Sequence, residues 1–246
     1  QIASIGYRGA EIMADVPHAY PPDMPPDRIH RIRDQLARLG LTISNVNAFT
    51  LFAAGDTYHP TWIEADLRLV AQRIEHTCNV IRMAAELGAE TVSLEPGGML
   101  GPFSTPSREV ALRRYQAALE ECLPLAEKEG VTLLVEPEPG LVIQRSTECL
   151  AFLQQVGHPN LRMNADLGHL FCVGENPAEV LRSARDSIAH IHLDDIAENH
   201  IHQHGIPGDG AMNWPEIFSA LKQINYQGWL TVELYPYETT PRAAGE

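Results

Sequence analysis

The chain of 246 residues is long enough to form one α/β barrel around a single core, so we predict one domain over residues 1–246. Its 18 Lys and Arg residues against 32 Asp and Glu residues give a formal net charge of −14. This charge disfavours nucleic acid and anionic membranes, because phosphate binding depends on Lys and Arg that displace counterions. No apolar run approaches the length of a membrane span, and no signal-peptide pattern opens the chain.

Short apolar, β-branched runs alternate along the chain with longer helical patterns, which is typical of repeated βα units on a parallel sheet. Helix starts are indicated by Thr61 with Glu64 three residues later, by Asn176 and by Asn213, each of which resembles an N-cap. Long loops are predicted over residues 15–27 and 96–107. The seven predicted strands are 6–13, 41–48, 90–95, 131–136, 161–166, 188–193 and 229–234.

Residues 1–4, followed by IGYRG, resemble the tail of a helix that leads into a strand. We therefore predict a (β/α)8 TIM barrel whose first strand and most of whose first helix lie upstream of residue 1. The alternative is a seven-stranded or open sheet that is complete in this sequence. The four cysteines have neither CxxC nor zinc-finger spacing, so we expect reduced thiols in a cytoplasmic protein.

Predicted strands end in, or close to, good metal ligands. Strand 131–136 ends at Glu136, and burial of this carboxylate without a partner would be costly. Strand 161–166 ends at Asp166, with His169 three residues later. Because the mouth of a parallel barrel forms at the carboxyl ends of its strands, these side chains are candidate ligands. The alternatives are a surface position for Glu136 and helix capping by Asp166.

The segment IAHIHL alternates, so His190 and His192 are expected to enter the barrel while their apolar neighbours face the helices. His192, nearer the carboxyl end, is the better ligand, and His190 is predicted to be a hydrogen-bonded core histidine. The alternation in WLTVELY turns Glu233 inward. Two Glu, one Asp and one His form an oxygen-rich set that suits Mn²⁺, Mg²⁺, Co²⁺ or Zn²⁺, and no organic cofactor is predicted.

The segments LLVEPEPG, MNADLGHL, HIHLDD, GIPGDGAMNW and LTVELY resemble the xylose isomerase-like TIM-barrel superfamily, also called the sugar phosphate isomerase/epimerase or AP endonuclease family 2 group. The resemblance covers essentially the whole chain. It implies a divalent metal held by Glu136, Asp166, His192 and Glu233. The sugar isomerases and epimerases of that group use two glutamates as acid and base, and those roles fall here on Glu136 and Glu233.

The resemblance implies isomerisation or epimerisation of a small sugar or related hydroxy-ketone. In such chemistry a Lewis acid acidifies the carbon-bound proton beside a carbonyl and stabilises the enediolate, so a nearby carboxylate can remove the proton. One alternative is a dehydratase resembling 3-dehydroshikimate or inosose dehydratase, which shares the proton abstraction and expels a β-hydroxyl. Another is a non-catalytic barrel that binds a metal or a sugar.

The loop after strand 188–193 contains His202-x-His204, where xylose isomerase and endonuclease IV carry a DxD or DxH pair. Together with His169, these residues would form a second, all-imidazole site that favours zinc or another transition metal. The alternatives are substrate contact by one or both loop histidines, or a plain solvated loop.

Three further side chains are candidate substrate contacts. Glu95 stands in EPGG, where endonuclease IV carries an HPG motif, and Asn47 stands where that enzyme needs a histidine. His59, in TYHP, is either a lid residue or part of a helix entry. Because Asn47 replaces that histidine and the chain is acidic, an endonuclease IV-like phosphodiesterase is the lesser alternative.

The remaining features of the predicted mouth are less specific. Asp194, Asp195 and His200 are expected to be solvated loop residues or partners of the ligands. No Gly-rich loop opens a helix with a Lys, so a phosphorylated substrate is not implied. A homo-oligomer is an expectation of the family only. Aromatic residues in the predicted top loops are candidates either for an apolar pocket wall or for ordinary packing: Tyr20, Phe49, Phe52, Tyr58, Trp62 and Phe103.

Overall fold

The computed structural model describes residues 1–100 and 106–246. Within these residues, seven parallel strands form one sheet in the order of the chain. All seven predicted strands are confirmed, and the largest difference is at the first, predicted from residue 6 and observed from Gly9. The strands are β1 (Gly9–Met13), β2 (Thr42–Asn47), β3 (Thr91–Leu94), β4 (Thr132–Val135), β5 (Leu161–Asp166), β6 (Ile188–Leu193) and β7 (Leu230–Val232).

Helices lie between successive strands, as the βα pattern predicts. Short 3-10 helices span Ile2–Ile5, Pro21–Asp23 and Tyr235–Tyr237. The α-helices are α1 (Pro26–Arg38), α2 (Leu67–Leu87), α3 (Arg108–Glu129), α4 (Ser146–Val156), α5 (Leu167–Cys172), α6 (Pro177–Ser183), α7 (Trp214–Gln223) and α8 (Pro241–Gly245).

Two of the three predicted helix starts are confirmed. Asn176 caps α6 and Asn213 caps α7 through their side-chain oxygens. The start predicted at Thr61 is wrong, because α2 begins at Leu67 with Asp66 as its N-cap. The Thr61 hydroxyl instead donates a 2.5 Å hydrogen bond to Glu95 Oε1 at the end of β3. A local sequence pattern is thus overridden by a contact with a neighbouring strand.

The edges of the sheet, β1 and β7, approach each other without strand pairing in the described residues. A cavity of about 550 Å³ lies between them, lined in part by Gly9, Trp229 and Thr231. One further strand occupies this place in an eight-stranded barrel. The protein is therefore an α/β barrel of seven parallel strands that is nearly closed.

Strand alternation separates an apolar outer layer from a polar interior. Asn45 Nδ2 donates to Ser93 Oγ at 2.9 Å, and Thr91 Oγ1 donates to Asn45 Oδ1 at 2.8 Å. Such pairing is needed because buried polar groups without partners are costly. The core that joins the sheet to the helices includes the fully buried side chains of Leu133, Val135, Met163, Ala165 and Ile191.

Two long loops are predicted at the carboxyl ends of strands. The predicted loop 15–27 contains the helix Pro21–Asp23 and reaches the first residues of α1. The predicted loop 96–107 is described at its two ends, and residues 101–105, including Phe103, lie outside the described residues. No helix among the described residues has the length and apolar character that crossing a membrane requires.

Candidate metal centre and active site

The four predicted ligands at the strand ends converge on one point in the mouth of the barrel. His192 Nδ1 lies 2.9 Å from Glu136 Oε1, 3.3 Å from Glu233 Oε2 and 3.8 Å from Asp166 Oδ2. One donor atom from each of the four residues lies within 4.8 Å of all the others. Because β4, β5, β6 and β7 are consecutive in the sheet, their carboxyl ends bring these side chains together.

Two oxygens in this cluster are buried and have no hydrogen-bond partner among the described residues: Glu136 Oε2 and Asp166 Oδ2. An unpartnered buried carboxylate oxygen is unfavourable unless a cation satisfies it. Three carboxylates and one imidazole also match the donors that divalent ions prefer. The residues therefore fit a bound divalent metal ion.

The electrostatics of the cluster indicate the same demand for positive charge. Burial lowers the pKa of His192, but the carboxylates of Glu11, Glu136 and Glu233 outweigh it and raise the pKa well above its ordinary value. Burial raises the pKa of Asp166, yet the imidazoles of His169, His204 and His192 carry it far below its ordinary range. The carboxylates thus favour positive charge at the centre of the cluster.

His169, His202 and His204 form a second cluster beside the first. Nδ1 of His169 lies 3.1 Å from Pro137 O, and Nδ1 of His204 lies 3.1 Å from Glu233 O. Because a carbonyl only accepts, both rings carry a proton on Nδ1 and turn Nε2 into the cluster. His202 Nε2 lies 3.1 Å from His204 Nε2.

Asp194 connects the two clusters. The prediction that it is a solvated loop residue is wrong. The side chain is fully buried, accepts a 3.1 Å hydrogen bond from Gly168 N, and places Oδ2 3.7 Å from His204 Nε2. Burial and the neighbouring Asp166 raise its pKa well above its ordinary value. Asp194, Asp166 and His204 offer donor atoms that also lie within 4.8 Å of one another. Asp194 is therefore a partner of the candidate ligands.

Asp195 and His200 lie away from the candidate ligands. Asp195 is buried and accepts hydrogen bonds from Trp214 Nε1 at 2.7 Å and Gly208 N at 2.8 Å. It therefore holds the loop that follows β6. His200 is exposed and stacks on Phe171, with ring centroids 4.4 Å apart.

A cavity of about 770 Å³ opens above the two clusters. Its walls include Glu136, Glu233 and the three histidines of the second cluster, together with Asn47. The predicted aromatics that line it are Phe49, Phe52 and Tyr58, whereas Tyr20 and Trp62 lie elsewhere. The cavity thus has an apolar wall and a polar floor of candidate metal ligands. This combination is usual in sites that bind small molecules.

Two of the candidate substrate contacts are not among the residues that line this cavity. Glu95 is fully buried and accepts hydrogen bonds from the Thr61 hydroxyl, Trp62 N and Gly97 N. His59 is exposed, with Nδ1 2.7 Å from Glu64 Oε1. Both residues therefore hold the loop before α2.

Asn47 reaches the cavity, but its polar atoms have protein partners. Its Oδ1 accepts from Phe49 N at 2.9 Å, and its Nδ2 donates to Glu11 Oε1 at 3.1 Å. Asn47 therefore orients Glu11.

Carboxylates that the sequence analysis missed lie at the mouth and in the barrel interior, among them Glu138, Asp15 and Glu11. Glu138 is buried and accepts a 2.7 Å hydrogen bond from the Tyr58 hydroxyl, and burial raises its pKa to about 7. Asp15 accepts from Thr50 Oγ1 at 2.9 Å and from Ala53 N at 3.2 Å, which fixes the loop after β2. Glu11 lies 3.0 Å from His192 Nε2. A lone carboxylate inside the apolar strand GAEIM was the available signal for Glu11.

Comparison with known proteins gives the family. The model of the xylose isomerase-like TIM barrel family matches residues 1–246. The chain belongs to this family.

Named relatives include inosose dehydratase from Clostridium beijerinckii, 25% identical over 173 residues, which are 60% of this chain and 58% of the relative. D-psicose 3-epimerase from Enterocloster bolteae is 30% identical over 122 residues, which are 50% of this chain and 37% of the relative. The matches thus span roughly half the length of these relatives or less.

A solved structure of the IOLI protein with a bound zinc atom is 20% identical and superposes with a TM-score of 0.78. The alignment covers 99% of this chain and 86% of that chain, and the likeness concerns the fold. The named relatives are enzymes, either dehydratase or epimerase. Family and relatives together support an enzyme of this general kind.

Proposed function

We propose that this protein is a divalent-metal-dependent isomerase or epimerase of a small sugar or related hydroxy-ketone. The observation that carries the proposal is the convergence of Glu136 and Glu233 beside His192 Nδ1, at 2.9 Å and 3.3 Å, on the floor of a cavity. Glu136, Asp166, His192 and Glu233 would hold the ion. When bound, it would supply Lewis acidity that makes the proton beside a substrate carbonyl easier to remove.

The two glutamates approach the same point from different strands. Glu136 follows β4 and Glu233 follows β7, with β5 and β6 between them. One carboxylate removes a carbon-bound proton, and the other returns a proton to the same carbon or to its neighbour. Return to the same carbon from the other face is epimerisation, and return to the neighbouring carbon is isomerisation.

The charge of the cavity supports an unphosphorylated substrate. Glu136, Glu138, Glu233 and Glu238 line it, and no Lys or Arg does so among the described residues. Residues 101–105, GPFST, carry no basic side chain either. A phosphate group would meet these carboxylates without a Lys or Arg side chain to balance its charge, and the same reasoning disfavours a DNA phosphodiester. Neutral hydroxyl groups suit the carboxylates and imidazoles.

We propose a second metal site at His169, His202 and His204. The backbone carbonyls that accept from His169 and His204 orient each ring, as is usual for metal-bound histidines. An all-imidazole set favours zinc or another transition metal over Mg²⁺. The alternative is that hydroxyl groups of the substrate donate hydrogen bonds to the same imidazole nitrogens.

A dehydratase is the second candidate function, because inosose dehydratase is among the named relatives. It would use the same metal and the same proton abstraction, followed by loss of a β-hydroxyl. Product mass separates the two functions, since dehydration removes one water and isomerisation leaves the mass unchanged.

We also propose that the protein is cytoplasmic and forms one domain over residues 1–246. A homo-oligomer is an expectation of the family.

The first test combines metal analysis with an assay on unphosphorylated ketoses and inososes. Protein purified without chelators is compared with Glu233→Gln and with a His202→Ala/His204→Ala double variant. One tightly bound ion per chain, lost in Glu233→Gln and retained in the double variant, supports a single site. Two ions, one of them lost in the double variant, support the second site. A wild-type protein that binds no ion contradicts the proposed function.

A further inference from the structure

We propose that Glu11 is a positioning residue that sets the tautomer and orientation of His192. This inference rests on the proposed metal centre. Glu11 lies on β1, whereas His192 lies on β6, and the two strands are not neighbours in the sheet. The contact therefore spans the barrel interior and is absent from the local patterns of the sequence.

The two nitrogens of His192 face opposite environments. Nδ1 faces two of the candidate metal ligands and lies 2.9 Å from Glu136 Oε1 and 3.3 Å from Glu233 Oε2. Nε2 lies 3.0 Å from Glu11 Oε2. A metal ligand needs a free lone pair on the nitrogen that faces the ion, so the ring proton must reside on Nε2. A carboxylate that only accepts fixes the proton there.

Glu11 is itself held in place. Its Oε1 accepts from Asn47 Nδ2 at 3.1 Å, and Asn47 is oriented by Phe49 N, which donates to Asn47 Oδ1 at 2.9 Å. His190 Nε2 lies 3.2 Å from Glu11 Oε2, although the angle is not that of a hydrogen bond. The chain of contacts runs from the backbone of Phe49 through Asn47 and Glu11 to His192. Carboxylate partners of this kind orient metal-bound histidines and make them more basic.

Glu11→Gln is the informative substitution because it keeps the shape and removes one acceptor. The amide has one oxygen, yet Asn47 Nδ2 and His192 Nε2–H both require an acceptor. If the oxygen serves Asn47, the amide N–H faces His192 Nε2 and drives the ring proton to Nδ1, where it opposes metal binding.

Ser44→Ala is the matched control, because Ser44 Oγ pairs with Thr231 Oγ1 at 3.2 Å in the same interior and does not contact the site. It deletes a part-buried hydrogen bond and leaves the contacts of His192 in place.

The test measures Zn²⁺ affinity of the metal-stripped chain of 246 residues by competition with a chromogenic chelator. We expect Glu11→Gln to weaken the affinity about 10- to 100-fold and Ser44→Ala to leave it within about twofold. In the zinc-loaded wild type, ¹⁵N histidine NMR should place the proton of His192 on Nε2, in contrast to His169 and His204, which carry it on Nδ1. A merely structural role for Glu11 predicts the same proton position and the same zinc affinity in Glu11→Gln as in the wild type, so both proteins are measured.

Unchanged zinc affinity in Glu11→Gln, or an equal loss in Ser44→Ala, overturns the role of Glu11 while the metal centre stands. A His192 proton on Nδ1 in the zinc-loaded protein overturns it as well. A wild-type chain that binds no zinc overturns the metal centre and this inference together.

Discussion

Tyr58 and Glu138 are joined across the mouth of the barrel, where the phenol donates a 2.7 Å hydrogen bond to Glu138 Oε1. Tyr58 belongs to the loop after β2, and Glu138 belongs to the loop after β4. The bond fixes one wall of the cavity against another, and both residues line it. Loop position here depends on a contact between segments 80 residues apart.

We predict that Tyr58→Phe lowers the free energy of unfolding by about 1–3 kcal/mol, because it leaves the buried Glu138 carboxyl without its donor. Urea unfolding of the metal-free protein checks this value. Tyr237→Phe serves as the control, since no hydrogen bond of that hydroxyl is present in the described residues. Equal stability of Tyr58→Phe and wild type would contradict the structural role of the contact.

Glu233→Gln is expected to lower kcat about 10²- to 10⁴-fold, because the amide cannot exchange a proton with substrate carbon. The assay is run at saturating metal, with the metal content of each protein determined, so that loss of the ion is separated from loss of the base. Glu238→Gln is the matched control: this glutamate lines the same cavity but is exposed and outside the ligand cluster. Comparable losses in both variants would count against an acid–base role for Glu233.

Asp166→Asn separates metal binding from helix capping. Asp166 Oδ1 accepts from His169 N at 2.8 Å at the start of α5, and an Asn oxygen can accept the same bond. Asp166 Oδ2, which has no hydrogen-bond partner in the part of the chain that the structure describes, is the oxygen available to the ion. We therefore expect the wild type to gain thermal stability on addition of Mn²⁺ or Zn²⁺ and Asp166→Asn to gain much less. Equal stabilisation of both proteins by the ion would exclude Asp166 as a ligand.

We predict that His76, which lies outside the candidate site, makes the stability of the protein depend on pH. It is buried on α2, with both ring nitrogens unpartnered in the described residues, and burial with the nearby charge of Arg73 lowers its pKa to about 3. The unfolded chain binds this proton at its ordinary pKa near 6.5. The group therefore has no effect above that pH, and stability falls by about 1.4 kcal/mol per pH unit below it, until the folded pKa is reached.

We expect His76→Leu to lose less stability than wild type between pH 7.5 and pH 5.0, by roughly 2 kcal/mol. Urea unfolding at both pH values measures the difference. His30→Leu, at an exposed position on α1, should follow the wild type. Parallel loss of stability in His76→Leu and wild type would show that His76 does not titrate in this range.

Local patterns were sufficient for the strands and for the four candidate ligands at the strand ends. The alternation in IAHIHL predicts inward histidines because successive side chains of a strand point to opposite faces. Glu136, Asp166 and Glu233 could be predicted because each ends an apolar run, where the carboxyl ends of parallel strands meet. These inferences need only the period of a strand and the geometry of a parallel barrel.

Only the tertiary structure determines which residues of distant segments contact one another. Glu95 has the local features of a site residue, yet its oxygens are taken by the loop before α2. Asp194 follows a strand like a loop residue, yet Gly168 lets it pack against α5 and remain buried. Glu11 meets His192 because closure of the barrel brings β1 and β6 to one interior. Which groups share a hydrogen bond depends on distances and angles of a few ångströms and degrees, which sequence periodicity does not specify.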